Sequence, residues 1–487
     1  MALNPSPTFQ LQPSANQVAL ASNYLTDADF TWLQQYLPDT YEKEFERYGN
    51  RSVASFLRMV GAEMPSNSDL IKWAEQGRLH TKYTGCQSGS PAGVGTTTAT
   101  ITIPLAQVNG NPPTGSQMPN TTAISGPAFR VGQTVMISDE AAGSANFNKA
   151  IVISLPNINQ IQVAYYEAGG QTFGAADLLT VWAYGSEFRK GQNGMQGSNE
   201  PGDLIFENSP IIIKDNYEVS GSDMAQIGWI EISTEDGGTG YLWYMKAEHE
   251  TRLRFEDYLE TAMVEAVPAA ATSGVATQVV DTTVGQKGSE GIFYVVENRG
   301  NVFGGGNPTT LANFDAIIQR LDKQGAIEEN VLFVDRQFSF DIDDMLAAQN
   351  SYGAGGTSYG LFDNDADMAL NLGFTGFRRG YDFYKSDWKY LNDPTMRGDL
   401  VAGKVNGLLV PAGSTTVYDQ VLGKNAKRPF LHVRYRASET EDRRYKTWIT
   451  GSAGGARTSD LDAMTVNFLS ERAVCTLGAN NFFIFKS

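Results

Sequence analysis

The run Tyr241–Val267, YLWYMKAEHETRLRFEDYLETAMVEAV, constrains this chain more than any other stretch, because its 27 residues contain neither Gly nor Pro. Gly237, Gly238 and Gly240 precede it and Pro268 closes it, so the spacing predicts one unbroken helix about 40 Å long. Phe255, Tyr258, Leu259, Ala262, Met263 and Ala266 recur at the period that keeps side chains on one helical face. Glu248, Glu250, Arg252, Arg254, Glu256, Asp257 and Glu260 occupy the other face. Glu248 stands four before Arg252 and Glu250 four before Arg254, the favourable order, each pair being worth roughly 0.2–0.5 kcal/mol. A rod laid across a sheet fits this pattern. So does an ordinary amphipathic core helix, and the neighbouring segments have to decide.

With 487 residues, 41% of them hydrophobic, the chain can bury a large core in two to four domains. Its 50 glycines, with many Asn, Ser and Thr, imply numerous turns and much β-structure. A net charge of −17 with 37 basic residues argues against sequence-specific nucleic-acid binding as the main task. It leaves room for a protein that stands next to nucleic acid. Cys86 and Cys475 show no metal-type spacing and read as two buried free thiols, a single disulfide being the alternative. His80, His249 and His432 are scattered singly, so histidine-based metal or acid–base chemistry is poorly supplied. No segment approaches the roughly 18 continuous apolar residues of a membrane helix. The opening MALNPSPTFQLQPSANQ has neither a basic leader nor an apolar block, so no secretory signal is expected.

In chain order, residues 1–25 read as an extended arm. Four short helices are expected next. The first begins at Thr26 with Phe30, Leu33 and Leu37, and the second at Asp39 with Tyr41, Phe45 and Tyr48. The third carries Val53, Phe56, Leu57 and Val60, and the fourth runs from Ser66 to Gly77 with Leu70, Trp73 and Ala74. Their apolar faces are too small to form a core alone.

From Arg78 the texture turns to β, beginning with RLHTKYT. Five strand signals follow: TATITI at 98–103, FRVGQTVMI at 129–137, AIVISL at 150–155, IQVAYY at 161–166 and LLTVWAY at 178–184, with a hairpin turn at residues 156–160. They predict a small SH3-like or OB-like barrel at about 95–185, inserted in the arms of a larger hairpin spanning 78–240. IIIKDNYEVS and WIEIS lead into the long helix. After Pro268, VATQVVDTTV and GIFYVVEN read as strands. A helix capped near Asn307–Pro308 with Phe314, Ile317, Ile318 and Leu321 ends at Gly325. The strand VLFVD and the helix FDIDDMLAAQ come next, then an exposed Gly/Asp-rich loop at 350–377. Strand-like YDFYKSDWKYL, LLVPAG, HVRYR and MTVNFLSERAVCTLGANNFFIFK close the chain. The expected class is α+β.

This order of elements resembles the HK97-like major capsid proteins of tailed bacteriophages. IIIKDNYEVSGSDMAQIGWIEIS followed by the long helix is similar to the return of that family's extended loop into its spine helix. PTTLANFDAIIQRLDKQGAIEENVLFVDRQFSFDIDDMLAA is similar to its axial-domain helix, strand and following helix. VNFLSERAVCTLGANNFFIFK resembles its closing strand pattern. The wording also resembles the capsid proteins of crAss-like phages, and the β-domain at 90–185 is the departure from the family.

The resemblance implies an N-terminal arm at 1–77, an extended loop at 78–240 and a spine helix with peripheral domain at 241–300. An axial domain at 301–455 and a return strand of the peripheral domain at 456–487 complete it. It also implies a structural protein rather than an enzyme, with no cofactor, that assembles with itself as hexamers and pentamers of an icosahedral shell. Portal and decoration proteins would be further partners, double-stranded DNA would be enclosed non-specifically, and no membrane would be involved.

Other motifs add no chemistry. Gly304-Gly305-Gly306 lacks both phosphate-loop patterns. Asp363, Asp365 and Asp367 alternate as in a calcium loop, but Met368 and Phe374 stand where Gly and Glu are required. Asp341, Asp343 and Asp344 at a helix start are explained by capping and the helix dipole. Lys190 with Asn480 or Asn481 does not specify a cross-link. Lys424, Lys427, Arg428, Arg434, Arg436, Arg443, Arg444 and Lys446 form the one basic concentration, interleaved with Glu439, Glu441 and Asp442. Subunit–subunit salt bridging is the expectation for Arg428, Arg434, Arg436, Arg443 and Arg444, as for Glu248, Glu250, Arg252 and Arg254. Phosphate contact is the second reading. The rival function is a phage fibre or cell-surface glycan-binding protein. The long helix, the helix–strand–helix run at 308–348 and the lack of tandem β-repeats weigh against it.

Overall fold

The computed structural model describes residues 52–54, 56, 62–89, 94–108, 126–174, 176–199, 203–225, 232–233, 239–240, 243–270, 272–277, 286–325, 327–350, 376–419, 424–455 and 457–487. The two helices expected between Thr26 and Gly49, and the calcium-like run Asp363–Asp367, lie outside these residues.

The first strands are β1 (Ala62–Ser66) and β2 (Ile71–Gln76). The helix expected from Ser66 to Gly77 is thus a strand. Ile71 and Trp73 alternate with more exposed neighbours, and β2 pairs antiparallel with a partner 130 residues on, so long-range pairing overrides a local capping signal. Next come β3 (Lys82–Ser88), β4 (Thr98–Thr102), β5 (Gln133–Asp139), β6 (Phe147–Asn157), β7 (Gln160–Tyr165) and β8 (Leu179–Ser186). They close into a barrel in the order β3-β4-β7-β6-β5-β8. Five strands were expected and six are found. The sixth is β3, whose start lies in the RLHTKYT text that reads as a hairpin arm.

Barrel alternation is regular: Ala99, Ile101, Val135, Ile137, Ala150, Val152, Ile161, Val163 and Val181 all point into one buried core. The β6–β7 connection is a two-residue turn with Asn157 opposite Gln160, as the Pro156–Gln160 text predicts.

After the barrel, β9 (Asp203–Asn208) pairs antiparallel with β2, from Ile71 opposite Asn208 to Gln76 opposite Asp203. The barrel is therefore carried on a two-stranded ribbon. Strand β10 (Ile211–Ser220), the short helix α1 (Gly221–Met224) and the two-residue pair β11 (Ile232–Ser233) and β12 (Thr239–Gly240) lead to helix α2 (Trp243–Glu265). A helical turn, α3 (Gly274–Thr277), replaces the start of the strand expected at VATQVVDTTV. GIFYVVEN is likewise helix, α4 (Ile292–Arg299), not strand. Ile292, Phe293, Val295 and Val296 are all buried there, and a short apolar run buried on most sides carries no period to read.

Strand β13 (Asn301–Phe303) precedes α5 (Leu311–Gln324), capped by the Thr310 hydroxyl accepting the Asn313 amide and closed at Gly325 with φ 77°. Strand β14 (Glu329–Val334), α6 (Arg336–Asn350), β15 (Gly376–Arg379), β16 (Tyr381–Asp387) and the one-turn α7 (Lys389–Asn392) follow. The last strands are β17 (Val405–Pro411), β18 (Ser414–Asp419), β19 (Lys424–Pro429), β20 (Leu431–Arg436), β21 (Lys446–Gly451), β22 (Ala463–Thr476) and β23 (Phe483–Lys486).

The chain divides into two compact units. One comprises Ser52 and the described residues of Lys214–Glu256 and Thr447–Phe468, the other those of Val53–Ile213, Asp257–Lys446 and Leu469–Ser487. In the larger unit a mixed sheet runs β13-β23-β17-β14-β16-β15. Its period-two alternation feeds two cores. Leu332, Val334, Leu409, Phe483 and Phe485 meet Phe314, Ile317 and Leu321 of α5 and Phe338 and Ile342 of α6. Phe333, Leu408, Val410 and Ile484 face the opposite way, toward Ile292, Phe293 and Val296 of α4 and Met263 and Val264 of α2.

Phe56 stacks on Trp388 at 4.5 Å within that second core. Strand β1 runs parallel to β20, which pairs antiparallel with the end of β22. Asn208 ties the ribbon down: its amide donates to the Val474 and Glu290 carbonyls, and its oxygen accepts from the Ser289 hydroxyl and Glu290 amide. In the smaller unit the start of β22 pairs with β21 and β10, and Phe255 packs on Phe468 at 5.6 Å.

Candidate functional site

Helix α2 is the rod that its sequence predicts, but its faces differ in detail. Phe255, Leu259 and Met263 are buried along one line, whereas Tyr258, expected among them, is exposed. Glu260, expected on the charged face, is buried because its carboxylate accepts the Phe56 amide at 3.0 Å. Asp257 one turn earlier accepts the Val53 and Ala54 amides at 2.9 and 3.1 Å. Two carboxylates of α2 thus hold a stretch of backbone far away in sequence, and no periodicity argument could have found that pairing.

Of the four α2 residues singled out, Arg254 turns to Asp215 of β10 at 3.4 Å, and also donates to the Thr251 hydroxyl. Arg252 meets His249 Nδ1 at 3.3 Å. Glu248 lies close enough to Tyr217 to help push that phenol up, behind the larger effects of burial and of Asp223. Glu250 is half-buried on the same helix.

The basic concentration is mostly internal to the larger unit. Arg428 is buried with its guanidinium on the Met64 sulfur, and burial, reinforced by Arg434, pushes it below its usual value. Burial lowers Arg434 as well. Arg443 and Arg436 both reach Glu471, at 2.6 and 3.3 Å, and Arg436 also pairs with Asp69. Arg444 pairs with Glu63, which accepts from Arg472 at 3.3 Å on its other oxygen. Glu441 pairs with Lys446 on the surface.

The expectation from sequence assigns these arginines to neighbouring subunits. The structure gives Arg436, Arg443 and Arg444 carboxylate partners in the same chain, supplied by β1, β22 and the turn after β1. Those acids lie far from their cations in the chain, 381 positions for Glu63 and Arg444, which is why sequence spacing does not expose them. Among them His432 is buried, donating its Nδ1–H to the Pro429 carbonyl at 3.1 Å, and burial pushes it down to about 4.

No group of three or more His, Cys, Asp or Glu side chains among the described residues is placed to hold a metal ion. Asp343 is engaged by Lys385 and Asp341 by Asn307 and Gln337, so these carboxylates act within the fold. Gly304–Gly306 form a turn after β13. Cys86 and Cys475 are free and buried, and burial pushes both thiols up to about 12. No helix among the described residues is long and apolar enough to cross a membrane.

What the molecule does present is apolar surface off its cores. On and beside the ribbon, Leu79, Leu204 and Ile205 are 91%, 58% and 69% exposed. Ile205 and Leu204 are consecutive in a strand and so lie on opposite faces of the ribbon. A two-stranded ribbon with apolar side chains on both faces has no core of its own to bury them.

Neither a protein-family model nor a curated protein matches the chain. Solved structures resemble it at low identity. One from Microbacterium phage Oxtober96 is 9% identical over 95% of this chain and 98% of that one, with a TM-score of 0.38. One from Gordonia phage Cozz is 8% identical over 96% and 97%, with a TM-score of 0.40. A chain from the asymmetric unit of the bacteriophage PhiM1 mature capsid is 11% identical over 62% and 78%, with a TM-score of 0.31.

Proposed function

We propose that this chain is a major capsid protein of HK97-like organisation, from a tailed phage and on the sequence resemblance a crAss-like one. It would assemble with itself into the icosahedral shell that encloses double-stranded DNA. The observation that carries this reading is the β2–β9 ribbon with its unburied Leu79, Leu204 and Ile205. The ribbon is anchored only at its base, where Ile71 and Asn208 are buried, and its far part leaves apolar side chains in water. Cover by neighbouring copies would remove that cost at roughly 25 cal/mol per Å².

In this reading the residues at 78–240 form the extended loop, α2 the spine, and the mixed sheet with α5 and α6 the axial domain. The arm at 1–77 and the ribbon lie over neighbouring subunits. The intrachain pairs of Arg436, Arg443 and Arg444 stiffen the subunit, while Glu248 and Glu250 stay candidates for a neighbour's arm. Portal and decoration proteins are further partners, and DNA is enclosed without a dense basic face to hold it. The role is geometric, with no reaction step. Shells form in the cytoplasm of the infected host.

Expression with its assembly factors, followed by negative-stain microscopy and sedimentation, tests this directly. Shells or capsomers are expected. A chain that stays monomeric at all concentrations, or forms fibre-like trimers, overturns the reading.

A further inference from the structure

Beside the barrel lies a cavity of about 190 Å³, walled by Leu155 of β6, by Arg130 just before β5, and by Phe188, Gln192, Asn193 and Gln196 of the strap that follows β8. We propose that this cavity, with the aromatic pair Trp182 and Tyr184 on β8, is a saccharide-binding site.

The chemistry of the lining points that way. Three primary amides line the cavity: the Gln192 oxygen accepts from the Arg189 amide at 3.3 Å, which leaves its NH2 to donate, and Asn193 carries both a donor and an acceptor, as sugar hydroxyls require. Phe188 adds an aromatic wall for the apolar face of a sugar ring. Its position is built in. Gly132 adopts φ 89°, and a Cβ there would stand 2.6 Å from the Phe188 ring, so the ring rests against bare backbone. Arg130 donates through Nη1 to the Gly197 carbonyl at 3.0 Å, fixing the strap, while its Nε has no hydrogen-bond partner among the described residues. Neither carboxylate nor histidine lines the cavity, which removes the donor set a metal ion would need.

Electrostatics separates a saccharide from a polyanion. Residues 82–199 contain five Lys or Arg and five Asp or Glu, so this region is neutral within a chain of net charge −17. Single-stranded nucleic acid would need a basic groove beside its stacking rings, and the region has no charge excess to supply one. Trp182 and Tyr184 are 38% and 45% exposed, with ring centroids 6.3 Å apart. Lys149 lies 5.8 Å over the Tyr184 ring, and the Tyr166 hydroxyl bonds Glu187 one residue before Phe188. Tyr184 and Trp182 stand four and six residues before Phe188 in the chain, so a sugar chain leaving the cavity along β8 would meet these rings.

The test uses the full-length protein, titrated separately with tetrasaccharides of glucose, of N-acetylglucosamine and of a uronic acid. Saturation-transfer NMR and tryptophan fluorescence follow binding. At least one tetrasaccharide is expected to bind. The uronic acid arm tells whether Arg130 takes a carboxylate or only hydroxyls. Phe188→Ala and Gln192→Ala should each weaken binding by about tenfold. Trp182→Ala should weaken the tetrasaccharide more than the monosaccharide, and Trp448→Ala should leave both unchanged. Unaltered thermal melting of each variant shows that the barrel still folds. The proposal is overturned if none of the tetrasaccharides binds, if sulfate alone binds, or if binding survives Phe188→Ala combined with Gln192→Ala. Shell assembly is a separate measurement and stands or falls independently.

Discussion

Glu260 and Phe56 are 204 positions apart in the chain, and the Glu260 carboxylate accepts the Phe56 amide at 3.0 Å inside the larger unit. The bond fixes the aromatic ring of Phe56 where it stacks on Trp388 and meets Phe333 edge-on at 4.6 Å. Glu260→Leu should therefore cost about 1–3 kcal/mol by stranding a buried donor. Glu260→Gln, which keeps an acceptor, should cost less, and Phe56→Ala about 3–5 kcal/mol. Denaturant unfolding reads all three. Equal losses for Leu and Gln would show that the carboxylate charge, not the accepted bond, is what matters.

Acid should loosen the sheet around β20. His432 titrates near 4 in the folded chain against an ordinary value of 6.5, chiefly because it is buried. A depressed folded value means that the neutral form is favoured by folding. The contribution is full above about pH 6.5, declines as pH falls, and is gone below about 4. It amounts to at most about 3 kcal/mol, since each tenfold change in proton affinity is worth roughly 1.4 kcal/mol. Melting temperatures between pH 8 and pH 4 should fall more steeply for the native chain than for His432→Gln. Parallel curves would remove His432 from the account.

Two ion pairs of the same region should behave differently. Glu471 is buried and serves both Arg443 and Arg436, so Glu471→Gln should cost about 1–3 kcal/mol and depend little on salt. Glu441 and Lys446 are both close to half exposed, so Glu441→Gln should lower the melting temperature far less, and less still in high salt. Thermal melts at low and high ionic strength compare them. A larger loss at Glu441 would mean that the surface pair has a role beyond this subunit.

Neither cysteine should react in the native protein. Both thiols are buried and pushed up to about 12, so the thiolate that attacks a disulfide reagent is scarce and shielded. Ellman's reagent should find no thiols before unfolding and two after it. A reactive thiol in the native state would mean that the barrel or the β20–β22 sheet opens locally.

Excising residues 77–202 and joining Gln76 to Asp203 through a tight turn should leave the mixed sheet and its two cores folded. The barrel core shares no buried residue with either of them. Circular dichroism and a cooperative melt check folding, and microscopy checks assembly, which should weaken. Loss of the cooperative melt would mean that the barrel is part of the core.

Whatever repeats at a fixed local period is legible in the sequence. The rod at α2, the α5–β14–α6 run, and five of the barrel strands are all readable that way. What escapes it depends on distant partners. SDLIKWAEQ looks like a capped helix until DLIFEN pairs with it, and GIFYVVEN looks like a strand until it is buried on most sides as α4. The charged residues are the least readable. Arg443 and Arg444 stand side by side in sequence, yet one answers to Glu471 and the other to Glu63. Asn208, satisfied on all sides by backbone and Ser289, gives no signal at all.

Every strand of the barrel has a neighbour on both flanks, from β3 round to β8 and back. Such a ring offers no row of unpaired backbone amides onto which another chain could zip. On the capsid reading, in which many copies crowd together, the chain can therefore carry this insertion without seeding runaway strand addition. The β2–β9 ribbon below it, open along both flanks, has no such immunity. If the chain polymerises wrongly, the fault should start in the stalk and not in the head.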